Sequence, residues 1–161
     1  MTARARVAVL ISGRGSNMAA LLDAATAPDY PAAIALVLSN RADAAGLDRA
    51  RAAGVPAIIV ESARFRGDRA GFEAAIEAEL RAHGVEIVAL AGFMRLLTPG
   101  FVARWRDRVV NIHPSLLPAF PGLDTHARAL AAGVRLHGCT VHLVREGVDD
   151  GPILAQAAVP V

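Results

Sequence analysis

The chain has no lysine: all 17 basic residues among its 161 are arginines. That excludes Schiff-base chemistry and a Walker-type phosphate lysine. Cysteine is almost as scarce. Cys139 stands alone, so no intrachain disulfide can form, which fits a reducing cytosol and hence a cytoplasmic protein. With one cysteine and no HxH or HExxH pattern, a zinc site is not expected. Aromatic residues make up 4%, too few for a stacking platform on single-stranded nucleic acid. Long apolar runs are missing too. The run in "MTARARVAVLI" stops at Ser12-Gly13, short of a signal-peptide core and far short of a membrane span. The net charge of +2 is mild and the arginines are scattered. Such a surface accepts small anions and carries no nucleic-acid footprint.

Hydrophobic residues make up 54% and charged residues 20%, so a folded domain with a core is expected. Short apolar runs alternate with Ala-rich helical stretches. "RVAVLI", "IALVLS", "AIIV", "EIVALAG" and "RVVNI" read as strands. Between them, "SNMAALLDAA", "ADAAGLDRARAAG" and "DRAGFEAAIEAELRAHG" read as helices; Phe72, Ile76 and Leu80 are at helical spacing in the third. This alternation predicts an α/β fold: an open, mostly parallel twisted sheet with helices on both faces. After Gly122 the texture changes to one helix, "THARALAAG", and two late strands, "GCTVHLV" and "PILAQAAVPV". The last of these runs to Val161 still apolar, which reads as a domain lacking its C-terminal segment.

"ISGRGSN" follows the first strand and opens the first helix. Glycines let a ligand approach the backbone, and free N–H groups at a helix start attract an anion. A dinucleotide fingerprint needs a third Gly where Met18 stands, and an acid ending the second strand where Asn40 stands. A single phosphate held by the N–H groups of Gly15, Ser16 and Asn17 fits better. A tight turn with Ser16 or Asn17 as N-cap stays open on the loop alone.

In "VVNIHPSLLPAFPG", Asn111 and His113 are two positions apart at the end of a buried strand, so they point to the same side. In open parallel sheets, ligands bind beyond the carboxyl ends of the strands, where the glycine loop also lies. The other reading is a polar pair pinning the loop stiffened by Pro114, Pro118 and Pro121. "EGVDDGPIL" reads by itself as a solvated turn, but folded over the same edge it would bring one Asp to His113. A carboxylate beside an imidazole suits a proton donor or an oxyanion partner. His83 reads as a helix-end cation and His126 as part of a helix start. His137 and His142 flank a strand, face opposite sides and make no metal pair.

"SGRGSN", "AGFMRLL", "NIHPSLLPAFPGLDTH", "HGCTVH" and "VDDGPIL" occur in an order and spacing that resemble the glycinamide ribonucleotide transformylase family of folate-dependent formyltransferases. The resemblance covers essentially the whole chain and implies a single formyltransferase domain over 1–161. It implies formyl transfer from 10-formyltetrahydrofolate, as co-substrate, to the amine of 5-phosphoribosylglycinamide in purine synthesis. Gly15, Ser16 and Asn17 match the phosphate-binding positions. Met94, Arg95, Leu96 and Leu97, with Arg69 and Asn111, match the folate-binding ones. Asn111, His113 and Asp149 match the catalytic trio. Asp150 and Asp124 depart from the family pattern, which often has a small or neutral residue and a His there. The partners implied are small molecules, bound by a monomer or homodimer without metal, nucleic acid or membrane. Two rivals share most of these features: a formyltetrahydrofolate hydrolase, which has no phosphorylated acceptor to hold, and a non-catalytic folate- or phosphate-binding module. A Rossmann oxidoreductase ranks behind both.

Overall fold

The computed structural model describes residues 3–161 of the chain, which fall into two compact units, one ending at Thr98 and the other running from Pro99 to Val161. The first holds strands β1 (Ala5–Ile11), β2 (Ala32–Ser39), β3 (Ala57–Ile59) and β4 (Ile87–Leu90). They lie in the order β3-β2-β1-β4, every pairing parallel. Helices α1 (Ser16–Ala24), α2 (Gly46–Ala52) and α3 (Arg69–Ala82) make the crossovers. This is the α/β alternation that the sequence predicts. Val7 to Ile11 of β1 are all buried, as are Leu36, Val37 and Leu38 of β2, so these strands read as continuous apolar runs.

Local chemistry sets the ends. Asp68 caps α3 by accepting a hydrogen bond from the Gly71 N–H at 2.9 Å. Phe72, Ile76 and Leu80 are buried as their spacing predicts. Glu73 is buried beside them; its carboxylate accepts from the Thr98 N–H at 2.6 Å and from the Thr98 hydroxyl. His83 is the C-cap of α3, with Nδ1 2.8 Å from the Glu79 carbonyl, in keeping with its expected place. Helix α2 begins at Gly46, later than the sequence reading from Ala42. The Gly46 N–H is taken by the Gly13 carbonyl at 3.0 Å, and Asp43 pairs with Arg41. That pairing holds the Asp43 carboxyl below its ordinary range.

The second unit contains α4 (Pro99–Arg104), β5 (Val109–His113), α5 (Thr125–Ala131), β6 (Leu136–Leu143) and β7 (Ile153–Pro160). Its strands pair antiparallel in the order β5-β6-β7, with Asn111 opposite His142 and His113 opposite Thr140. Within the two units, then, the strand pairings are mostly parallel. Helix α4, too short to show a period in the sequence, buries Phe101 and Val102. β5 runs one residue further than expected, through His113. His137 and His142 do not flank a strand: both lie within β6, which carries an irregularity between Val141 and His142. All eight residues of β7 are exposed. No helix among the described residues is long and apolar enough to cross a membrane.

Candidate active site

In the first unit, the glycine loop leaves β1 at Ser12 and turns into α1 at Gly15. Gly15 is the N-cap at φ 71°, and no side chain caps the helix, so neither Ser16 nor Asn17 plays the part the turn reading gave it. A Cβ on Gly15 would lie 3.0 Å from Met18 Cε and 3.2 Å from Gly46 Cα. A Cβ on Gly46 would lie 2.6 Å from Ile11 Cδ1 and 3.2 Å from the Gly13 carbonyl. Two glycines thus let the loop and α2 touch, and the first turn of α1 carries no acidic side chain to oppose an anion.

Gly15, Ser16 and Asn17 line a cavity of about 780 Å3, and so do Met94 and Arg95 from the loop after β4. The fold of this unit therefore brings two segments nearly eighty residues apart to one space. Arg14, Asn40, Ser62 and the Arg41–Asp43 pair line it as well. Leu96 and Leu97 do not, and Leu96 is 65% exposed. Arg69 turns its guanidinium to the Leu96 carbonyl, at 3.0 Å.

In the second unit, Asn111, His113 and Asp149 come together, and the solvated-turn reading of "VDDG" fails for Asp149, whose side chain is 12% exposed. His113 Nδ1 is 3.3 Å from Asp149 Oδ2, and His113 Nε2 is 2.9 Å from the Phe120 carbonyl. Both partners are acceptors, so a ring that donates at both nitrogens, the imidazolium, satisfies both. Asp149 Oδ2 also accepts from the Gly122 N–H at 2.9 Å. His113 and Asp149 thereby hold the proline-rich loop as well as each other; of the Asn111–His113 pair in the pinning reading, His113 contacts that loop, whereas Asn111 turns to His142. Asp149 itself is at φ 53°, an uncommon conformation for a residue other than glycine.

His142 is the member that sequence reasoning missed. Its Nδ1 is 3.0 Å from the Leu143 carbonyl, and a neutral ring that donates there presents the lone pair of Nε2. Asn111 Nδ2 donates to that Nε2 at 3.2 Å. The contact fixes the Asn111 amide and leaves its second N–H free to bind an oxygen atom. His142 Nε2 is also 3.6 Å from Asp149 Oδ1. Spacing along its own strand gave no signal for it, because its place is set by the antiparallel register that puts it opposite Asn111; the five-residue spacing from His137 drew attention elsewhere. His126, at the start of α5, pairs with His137 at 2.9 Å between Nδ1 and Nε2.

Comparison with known proteins bears on both units together. Residues 5–161 match the formyl transferase family. The chain belongs to that family. It is 46% identical, over 97% of its length and 73% of the relative, to the phosphoribosylglycinamide formyltransferase of Haemophilus influenzae. It is 49% identical to part of the human trifunctional purine biosynthetic protein adenosine-3, and there 98% of this chain spans 16% of the relative's length. Among solved structures, glycinamide ribonucleotide transformylase 1 from Symbiobacterium toebii matches with a TM-score of 0.94 and 51% identity, over 98% of this chain and 74% of that one. The phosphoribosylglycinamide formyltransferase of Brucella melitensis matches with a TM-score of 0.93 and 55% identity, over 99% and 81%. Membership in the formyl transferase family extends across both units, and with it the α/β fold expected from the sequence.

Proposed function

We propose that this chain transfers the formyl group of 10-formyltetrahydrofolate to the amine of 5-phosphoribosylglycinamide, a step of de novo purine synthesis, and that residues 1–161 act as one formyltransferase domain. The observation that carries the reading is the His113–Asp149 contact beside the oriented amide of Asn111. It supplies what acyl transfer between two amines needs: donors for an oxyanion and a carboxylate hydrogen-bonded to one of them.

The acceptor amine attacks the formyl carbon, and the carbonyl electron pair moves onto oxygen. Asn111 gives its free N–H to that oxygen, and His113 gives Nε2–H, exchanging the Phe120 carbonyl for the oxyanion. Donors of this kind are each worth about 3 kcal/mol. The intermediate collapses when the bond from carbon to the folate nitrogen breaks. The attacking amine loses a proton and the departing nitrogen gains one; Asp149, through its contact with His113, assists that transfer. Gly15, Ser16 and Asn17 hold the substrate phosphate by their N–H groups. Met94, Arg95, Leu96 and Leu97, with Arg69 and Asn111, receive the folate. The chemistry needs no metal. The enzyme works in the cytoplasm on small molecules, as a monomer or homodimer, without nucleic acid or membrane.

The test is an absorbance assay with glycinamide ribonucleotide and a 10-formylfolate donor, on the unchanged chain and on His113→Asn. Deformylation that requires the ribonucleotide and collapses in the variant supports the transferase. Deformylation without the ribonucleotide means a hydrolase, and binding of both ligands without turnover means a binding module.

A further inference from the structure

A chain of polar contacts in the first unit connects β1 to the segment that begins at Met94, and none of its inner members has a role in the chemistry above. The Ser12 N–H donates to the Gly92 carbonyl at 3.1 Å. The Ser12 hydroxyl accepts from the Met94 N–H at 2.8 Å and donates to Asn40 Oδ1 at 2.5 Å. Asn40 Nδ2 donates to the Ser62 hydroxyl at 3.3 Å. Arg95 donates to the same hydroxyl from Nε at 3.2 Å and from Nη2 at 2.6 Å. Ser12 and Asn40 are buried, at 7% and 6% exposure.

Burying a hydroxyl and an amide where an apolar pair would pack is unfavourable unless each group is satisfied, and here each is. The question is what the arrangement does beyond satisfying itself. Phe93, just ahead of this segment, is anchored in the core against Phe72, but beyond it Met94 is 68% exposed and Leu96 65%, so packing of those two side chains does not fix their place. Its backbone is held at the near end by Ser12, on the Gly92 carbonyl and the Met94 N–H with Gly92 at φ 77° making the turn, and further on by Arg69 at the Leu96 carbonyl and Glu73 at the Thr98 N–H. Ser62 in turn fixes the direction of the Arg95 guanidinium, which would otherwise sweep freely on a long side chain.

We propose that Ser12, Asn40 and Ser62 are positioning residues for the folate donor: they preset the Met94 backbone and the Arg95 guanidinium in the shape that receives it. The inference rests on the formyltransferase reading. Preorganisation of this kind acts on donor affinity and leaves the phosphate end untouched, because Gly15, Ser16 and Asn17 take no part in the contacts.

The experiment measures binding of 10-formylfolate and of glycinamide ribonucleotide separately by titration calorimetry, with steady-state kinetics alongside. The proteins are the unchanged chain, Ser12→Ala, Ser62→Ala and Ser62→Thr. Ser12→Ala, which removes the contacts with the Met94 N–H and Asn40, and Ser62→Ala, which removes those with Asn40 and Arg95, are each expected to weaken the donor and raise its KM about tenfold. In Ser62→Ala, which lies outside the glycine loop, ribonucleotide affinity and kcat should hold within about twofold; Ser12, where that loop begins, is read for the donor alone. Ser62→Thr, which keeps the hydroxyl, should restore donor binding; a merely structural role would not sort the two ligands this way. If Ser12→Ala does not fold, the Ser62 pair decides alone. Unchanged donor affinity in folded Ser62→Ala overturns the inference and leaves the formyltransferase reading standing. Equal weakening of both ligands also overturns it. An unchanged chain that binds no donor removes the reading itself, and the inference with it.

Discussion

Two apolar strands, β1 and β7, are hard to tell apart in the sequence and end in opposite environments. The last five residues of β1 are buried, whereas all eight of β7 are exposed. β1 has a hydrogen-bonded neighbour on each side, β2 and β4; β7 has one, β6, among the described residues. Apolar content measures what a segment is able to bury, and the layers packed on the faces of the sheet decide whether it does so. The two units differ in a parallel way in how they carry their polar groups. Up to Thr98 the loop proposed to accept the phosphate is made of backbone N–H groups and glycines. From Pro99 onward the proposed chemistry sits in side chains on β5, β6 and one turn. The first kind of site fails through sterics, and the second fails through lost charge.

The largest effect should come from the second unit. Asp149→Asn keeps the shape of the turn and removes the charge facing His113 and His142, so the formyl-transfer rate should fall about 10²–10⁴-fold, the range of positioned acid–base groups. Single-turnover kinetics with both substrates saturating reads this directly. A rate within a few-fold of the unchanged chain would remove Asp149 from the mechanism.

Next is the core of the first unit. Leu10 is fully buried in β1, and Leu10→Ala should cost about 2–5 kcal/mol in urea unfolding, with the m-value unchanged. A loss below about 1 kcal/mol would mean that β1 is not the core strand its burial indicates.

That contrast also explains what was legible in advance. The parallel strands and α3 could be read because their apolar residues repeat at the strand or helix period over enough length. Asn111 and His113 were legible from strand alternation, and Asp149 from its turn together with the family resemblance. His142 was not, because its role depends on the antiparallel register that sets it opposite Asn111, a pairing that spacing along one strand does not reveal. Asn40 was visible only as the acid that a dinucleotide site lacks. Its contacts with Ser12 and Ser62 span 28 and 22 residues, and no local pattern announces contacts of that range. The start of α2 was misplaced for a similar reason: the group that takes its first N–H is the carbonyl of Gly13, far back in the chain.

A smaller loss tests the glycine contact between loop and helix. Gly46→Ala sets a methyl group 2.6 Å from Ile11 Cδ1 and 3.2 Å from the Gly13 carbonyl. The Ile11 side chain can turn aside but the carbonyl cannot, so the glycine loop must shift. The expected cost is about 1–3 kcal/mol, the usual range for overpacking. Weaker binding of the ribonucleotide should accompany it, with donor binding unaffected. Loss of stability with both affinities intact would mean that the loop absorbs the methyl without changing its N–H groups.

The smallest effect belongs to β7, and it decides whether the opening contrast is physical. Leu154 is 55% exposed, so Leu154→Ala removes little surface that folding had taken from water. The change in stability should stay within about 0.5 kcal/mol, as for ordinary surface positions. Leu10→Ala, the same chemical change in β1, differs from it only in surroundings, so the ratio of the two losses measures burial and not side-chain identity. A loss at Leu154 approaching that at Leu10 would show that the β7 side chain is covered in solution, and that its likeness to β1 in the sequence reports a shared environment after all.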